Sequence, residues 1–373
     1  MKKETTKTEI KYYSLNSILR KNADYNIIFG ERSNGKTYAA LSYAIEQFLK
    51  TGKQSAYIRR WQADLYAKRA ESLFNNHCAN GYLETVSNGL YNTVIYSQRK
   101  WYLAKYDSET GKAAASETPF CFAFCLSEQE HDKSTSFPNI DTIIFDEFLT
   151  RRYYLPEEFM LFMNVLSTII RDRNGVKIFM LGNTVNKYCP YFAEMGLRNI
   201  GNQKQGTIDI YSFGENGCKI AVEYAATTNT KKVSNKYFCF DNEKLQMITN
   251  GKWELSIYPH CPEKYTPKDI IFIFYILWND TILQGNVINT GTNDFIFIHQ
   301  KTTEIKDKTN SLIYSLEPNA APNYRRRLIS NITEIDRKIT NYFAREKVFY
   351  QSNEIGEIVR NYVQVSSKNN ILQ

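Results

Sequence analysis

The sequence predicts an α/β fold: a P-loop domain with a mainly parallel sheet, followed by a smaller C-terminal α+β domain. Three observations predict it. Apolar strand-like runs alternate with helix-like stretches through the first part of the chain, the grammar of a parallel sheet covered by helices. The run "YNIIF" leads into Gly30-x-x-x-x-Gly35-Lys36-Thr37 and then an Ala- and Leu-bearing helix, the setting in which a glycine-rich loop cradles phosphates. Past the polar, basic stretch 227–238 the pattern turns into consecutive apolar strands separated by turns. The domains are therefore drawn as 1–226, a linker at 227–245, and 246–373.

The elements follow in order. "YYSLNSIL" reads as a short helix, "YNIIF" as the first strand, and Thr37–Leu49 as the helix after the loop. "SAYIRRW" is a second strand ending in Arg59 and Arg60, and Gln62–Phe74 a charged helix. "NTVIYSQ", "KWYLAKYD" and "PFCFAFCL" read as a meander. "NIDTIIFDEFL" is a buried strand ending in two acids. The helix "PEEFMLFMNVLSTIIRDR" has acids in its first turn, where the helix dipole favours them. "VKIFMLGNTVN", "TIDIYSF" and "CKIAVEYAA" complete the strands of the first domain. In the second, "IIFIFYILWND", "TILQGNVINT" and "DFIFIHQKT" form a three-strand meander with turns at Asn279–Asp280 and Gly291–Thr292. "NYRRRLISNITEIDRKITNYFA" reads as a helix, with Leu328, Ile329, Ile332, Ile335 and Ile339 near helical spacing.

Composition narrows the function classes. At 43% hydrophobic and 14% aromatic the chain has the makings of a core. The longest apolar run, Ile270–Trp278, falls far short of the roughly 20 residues a membrane span needs. The start "MKKETTKTEIKYY" has no apolar segment behind its charges, so the expected location is cytoplasmic. Seven Cys without a C-x-x-C pair and four scattered His argue against a zinc site or a disulfide framework. The net charge of +8 is spread over both parts, which suits brief contact with a polyanion.

The chemistry-bearing residues lie in three places. In the loop Gly30, Glu31, Arg32, Ser33, Asn34 and Gly35 would wrap the phosphates of ATP, Lys36 would reach the β- and γ-phosphates, and Thr37 would ligate Mg²⁺. Asp146, at the end of an apolar strand, takes the second Mg²⁺ position, and Glu147 is placed to polarise a water for in-line attack. A catalytic Glu directly after that Asp marks the additional-strand division of P-loop ATPases. Asn183 ends the strand "IFMLGN" and reads either as a sensor of the γ-phosphate or as a turn residue. Candidates for completing the transition-state charge, from this chain or a neighbouring copy, are Lys133, Arg171, Arg173 and Arg32.

Taken together, "IIFGERSNGKT", "FPNIDTIIFDEF" and "FMLGNT", followed by a smaller domain, resemble the DNA-encapsidation ATPases of phi29-like tailed phages. The resemblance implies a pentameric ring docked on the portal of a procapsid in the host cytoplasm, driving double-stranded DNA inward; whether a structural packaging RNA is a further partner is left open by the sequence. It implies basic residues acting across the subunit boundary. It also implies that the second domain is an RNase H-like nuclease without activity; Asp280 and Asp294 lie in turns and make a poor two-metal set. The basic run Arg325, Arg326 and Arg327 fits either phosphate binding or a solvated helix start. Rival readings are a helicase or remodelling ATPase, and a slow nucleotide-gated assembly module. Against the first stands the absence of a second RecA-like domain, and against the second stands Glu147.

Overall fold

The computed structural model of the chain describes residues 12–32, 34–131, 136–150, 154–155, 157–184, 189–214, 217–226, 258–278 and 281–367. It falls into two units, Met1–Glu254 and Leu255–Gln373. The linker expected at 227–245 lies outside the described residues, as does the turn expected at 279–280.

In the first unit the strands are β1 (Tyr25–Gly30), β2 (Gln54–Arg59), β3 (Thr93–Ser97), β4 (Lys100–Asp107), β5 (Lys112–Ala115), β6 (Cys121–Cys125), β7 (Ile140–Asp146), β8 (Lys177–Asn183), β9 (Ile208–Phe213) and β10 (Cys218–Tyr224). They form one sheet in the order β3-β4-β6-β2-β7-β8-β1-β10-β9, with β5 paired to β4. From β6 to β10 every neighbour is parallel, and antiparallel strands lie at both margins. Ile27, Ile28 and Phe29 are all buried because a central parallel strand is covered on both faces. Alternate residues serve opposite faces: Ile27, Phe29, Ile58 and Phe145 join one core, while Ile28, Tyr57 and Ile144 join the other.

The helices are α1 (Asn16–Leu19), α2 (Lys36–Thr51), α3 (Ala67–Glu71), α4 (Asn75–Ala79), α5 (Tyr82–Val86), α6 (Glu158–Ile170) and α7 (Pro190–Glu194). On α2, Ala40, Leu41, Ala44 and Ile45 pack with the Ile28 face. On α6, Phe162, Val165, Leu166 and Ile169 pack with the Ile27 face. Left-handed glycines bracket α2: Gly35 (φ 94°) precedes it, and Gly52 (φ 71°) ends it by donating to the Phe48 carbonyl.

Two expectations fail here. Gln62–Phe74 is not one helix but a 3₁₀ turn at Gln62–Leu65, then α3, then a second 3₁₀ turn at Ser72–Phe74. Asp64 is held by both Arg59 and Arg69, and Phe74 is drawn against Trp101 and Phe120, so tertiary contacts break the local helix. Strand β5 was not foreseen, since its "KAAA" is exposed throughout and has no alternation to detect.

The second unit holds β11 (Ile270–Trp278), β12 (Thr281–Asn289), β13 (Asp294–Lys301), β14 (Leu312–Ser315), β15 (Tyr324–Arg325) and β16 (Val348–Tyr350), in the order β15-β14-β11-β12-β13-β16. The three-strand antiparallel meander expected from the sequence, β11-β12-β13, is present and is extended by β14 and β15, each parallel to its neighbour. Helices α8 (Glu334–Ala344) and α9 (Asn353–Ser367) follow the sheet strands β15 and β16. The helix expected from Asn323 onward starts only at Glu334. Thr333 and Asp336 form a reciprocal cap there, Tyr324–Arg325 pair as a strand, and Ile332 is 79% exposed. The acid expected in the turn before β13, Asp294, is instead the strand's first residue and pairs with Lys347 and Arg345. Among the described residues no helix is long and apolar enough to cross a membrane.

Two tests follow from the packing. His77 is 1% exposed, stacked at 3.9 Å on Tyr38 and bonded to Ser42 at 3.1 Å, and burial pushes its pKa from 6.5 down to about 4. Between those values the unfolded chain binds a proton that the folded chain refuses. Stability is therefore lost as pH falls through that window, by up to ~3 kcal/mol. Replacing His77 with Gln should flatten the stability profile between pH 6.5 and pH 4 in urea titrations; an unchanged slope would assign the acid sensitivity elsewhere. Gly182 on β8 has Phe148 and Leu149 side-chain atoms 2.9 Å from where a Cβ would stand. Gly182→Ala should therefore cost about 1–3 kcal/mol by overpacking, read as a drop in Tm.

Candidate nucleotide and metal site

Strand register builds the site. Gly30 on β1 pairs with Asn183 on β8, and Asp146 on β7 pairs with Leu181 on the other side of β8. Strand β8 thus lies between the loop-bearing strand and the acid-bearing strand, which is the additional strand expected from Glu147. Strand β2 lies on the far side of β7 and brings Tyr57 and Arg59 to the same edge. The chain ends of four parallel strands converge there, where open α/β sheets hold ligands.

In the loop, Gly30 permits close approach: an added Cβ would meet Ala225 at 3.2 Å. Its carbonyl accepts from the Thr184 N–H at 3.0 Å. Lys36 is buried and folds back, donating to the Glu31 carbonyl at 2.6 Å and to Asn34 Oδ1 at 3.1 Å, with Asn183 Oδ1 at 3.5 Å. Burial lowers its pKa from 10.5 to about 8, although Asp146 and Glu31 pull upward. Asn34 Nδ2 is a buried donor without a partner among the described residues. A cation held at the cost of desolvation and a donor lacking an acceptor both fit a polyphosphate. Arg32 is exposed on this loop, and Ser33 lies outside the described residues.

Thr37 Oγ1 stands 3.2 Å from both oxygens of Asp146, and Tyr57 donates to Asp146 Oδ2 at 2.9 Å. Burial raises the Asp146 carboxyl above the usual range, against the pull of Arg59, Tyr57 and Thr37. A hydroxyl and a desolvated carboxylate this close are hard oxygen donors that fit a divalent cation such as Mg²⁺.

Glu147 sits at φ 56°, the left-handed region that non-glycine residues seldom adopt. Its amide donates to Asp146 Oδ1 at 2.9 Å, and its carboxylate, largely solvent-facing, pairs with Arg59 Nη2 at 2.8 Å. Arg59 also reaches Asp64 at 3.2 Å and Asp146 at 3.7 Å.

The structure therefore brings together Lys36, Thr37, Asp146 and Asn183, with Glu147 beside them and engaged by Arg59. Arg173 is elsewhere in the unit. It donates to the carbonyls of Pro138, Ile140 and Ile169, at the opposite end of β7 from Asp146, about 20 Å along the strand. Arg171 follows the same end of α6, so neither belongs to the set formed within one chain. Lys133 lies outside the described residues. The sequence reading missed Tyr57 and Arg59 as site residues. The signal was there in part, as an Arg pair closing an apolar strand, but nothing local says that β2 lies beside β7.

The family model described as Podovirus DNA encapsidation protein (Gp16) matches residues 8–208. The DNA packaging protein of Bacillus phage phi29 is 29% identical over 184 residues, covering 48% of this chain and 49% of that protein. That of Bacillus phage B103 is 29% identical over 175 residues, covering 46% and 48%. The chain thus spans about half the length of the curated relatives it matches. Among solved structures, the Phi-28 gp11 DNA packaging motor aligns over 97% of this chain and 100% of its own, at 15% identity and a TM-score of 0.56. The bacteriophage Phi-29 viral genome packaging motor assembly aligns over 94% and 99%, at 20% identity and a TM-score of 0.55. Those two likenesses are of fold. The family match takes in more than half of the chain, with the P-loop, the Asp146–Glu147 strand end and Asn183 all inside it, and the chain belongs to the podovirus DNA encapsidation protein (Gp16) family.

Proposed function

We propose that this chain is an ATP-hydrolysing motor that drives double-stranded DNA into a viral procapsid. The observation that carries the reading is the convergence of Lys36, Thr37 and Asp146, with Glu147 next in the chain. Its support beyond the site is family membership and the relatives' description as DNA packaging proteins.

Lys36 leaves the Glu31 carbonyl and Asn34 to meet the triphosphate, which restores the counter-charge its burial lacks. Thr37 and Asp146 would hold Mg²⁺, which would supply charge neutralisation at the phosphate oxygens. Asn183, beside Lys36, orders the attacking water. Glu147 accepts the proton of that water as its oxygen bonds to the γ-phosphorus and the bond to the bridging oxygen breaks, releasing ADP and phosphate. Arg59 holds the Glu147 carboxylate, so this ion pair opens before the base acts. In a homo-oligomeric ring, taken as a pentamer, a basic residue of the neighbouring copy completes the charge; Lys133, Arg171 and Arg173 are the candidates. The portal of the procapsid, and a structural packaging RNA, are the further partners in the host cytoplasm. DNA is held through its phosphates, with little sequence preference.

The test is ATP hydrolysis by the purified chain across a concentration series, with and without double-stranded DNA. A motor with trans-completed sites should show stimulation by DNA and a steep concentration dependence. Turnover that is flat in both would overturn the packaging reading. Glu147→Gln should keep nucleotide binding and lose about 10²–10⁴ in turnover, whereas Lys36→Ala should lose binding as well. A Glu147→Gln variant with wild-type turnover would remove Glu147 from the role of base.

A further inference from the structure

Arg59 ends β2 and Arg60 follows it directly, and the two side chains leave on opposite faces of the sheet. Arg59 grips the side chain of Glu147. Arg60 grips its backbone. It is 5% exposed, and its guanidinium donates through Nη1 to the Glu147 carbonyl at 3.1 Å and through Nη2 to the Phe148 carbonyl at 2.7 Å. The remaining Nε donates to Glu158 Oε2 at 2.8 Å. Glu158 is 0% exposed at the start of α6, and its carboxylate also accepts from the Tyr191 hydroxyl on α7 and from the Leu155 N–H, each at 2.7 Å. The Tyr154 ring lies 5.1 Å from the Arg60 guanidinium carbon.

The turn that Arg60 holds is the unusual one, with Glu147 at φ 56°. It is pinned at four points: Glu147 N–H on Asp146, Phe148 N–H on the Leu181 carbonyl, and the two carbonyls on Arg60. Stability alone does not account for the arrangement, because apolar residues of similar volume commonly replace a buried ion pair without loss. A planar fork that reaches two successive carbonyls and a carboxylate at once does something an apolar pair cannot, which is to fix a backbone conformation.

We infer that Arg60 and Glu158 form a positioning pair that holds the Glu147 turn in its left-handed conformation and so sets where the Glu147 carboxylate stands relative to Asp146. Resting on the reading of Glu147 as the base, the pair also ties that base to α7, the helix that follows the Asn183 strand in the chain. Neither residue touches the triphosphate. Both act through the Glu147–Phe148 backbone.

The test compares wild type with Arg60→Lys and with the neutral double variant Arg60→Met plus Glu158→Gln. The double variant leaves no single buried charge behind; the new amide oxygen can accept from the Leu155 N–H while its NH2 donates to the Tyr191 hydroxyl oxygen. Binding of a fluorescent ATP analogue should stay within about threefold, since the P-loop is untouched, while kcat falls on the order of 10²-fold from a misplaced base. Arg60→Lys keeps the charge but not the fork and should fall between the two. Amide exchange over 145–149 should rise at least about tenfold in the double variant, with α2 unchanged. A folded double variant with wild-type kcat and wild-type exchange overturns the inference. So does a loss of kcat matched by an equal loss of nucleotide affinity. If wild type itself fails to turn over ATP, the functional reading falls separately, and exchange at 145–149 alone decides whether the pair holds the turn.

Discussion

A carboxylate placed at 7% exposure at the end of β7, with a hydroxyl, a phenol and a guanidinium around it, is the constraint to which the first unit is built. Buried, the Asp146 carboxyl needs opposing charge or donors on every open side. Two separate stretches supply them: Thr37 at the start of α2, and Tyr57 and Arg59 on β2. None of these contacts is possible unless β2 and β8 flank β7 in the observed register, with β1 next to β8. The parallel sheet is therefore less a support for the loop than the device that sets four strand ends level.

Two adjacent arginines, the last residue of β2 and the one after it, then divide the contacts to Glu147 by leaving the sheet on opposite faces. One faces the P-loop side and meets the carboxylate; the other faces the α6 side and meets the peptide carbonyls. The same alternation sorts the core, with Tyr57 and Ile58 entering different clusters. Glu147 is thus met at its solvent-facing carboxylate by one arginine and at its backbone by the other, buried one.

The second unit uses the same economy of buried polar groups. Asp336 is fully buried, caps α8 through Thr333 and accepts from the Tyr314 hydroxyl of β14. Tyr362 on α9 stands against Trp278 of β11 and donates to the Arg326 carbonyl. Asp294, which a two-metal nuclease would leave open to cations, is instead engaged by Lys347 and Arg345. Arg325, read in the sequence as part of a basic run, pairs in the β15 strand and approaches Asp336 at 3.8 Å.

The P-loop and the Asp146–Glu147 strand end were legible in the sequence because each is local: a few polar residues bounded by an apolar run and a helix, so that chain order alone dictates what lies next to what. Strands β1, β2, β7, β8 and β11–β13 were legible for the same reason, as continuous apolar segments. The roles of Tyr57, Arg59 and Arg60 were not, because they depend on β2 meeting a strand that comes 89 residues later at the Tyr57–Asp146 bond. The placement of Arg173 at the far end of β7 was equally hidden, since it follows from the direction in which α6 runs back along the sheet. Glu158, expected as a first-turn acid of the helix, became a buried partner of Arg60, and the helix expected over Gln62–Phe74 was broken by Asp64 and Phe74. Chain-local chemistry was determined by the sequence alone; which charges neutralise one another was decided only when the sheet brought distant strand ends within hydrogen-bond reach.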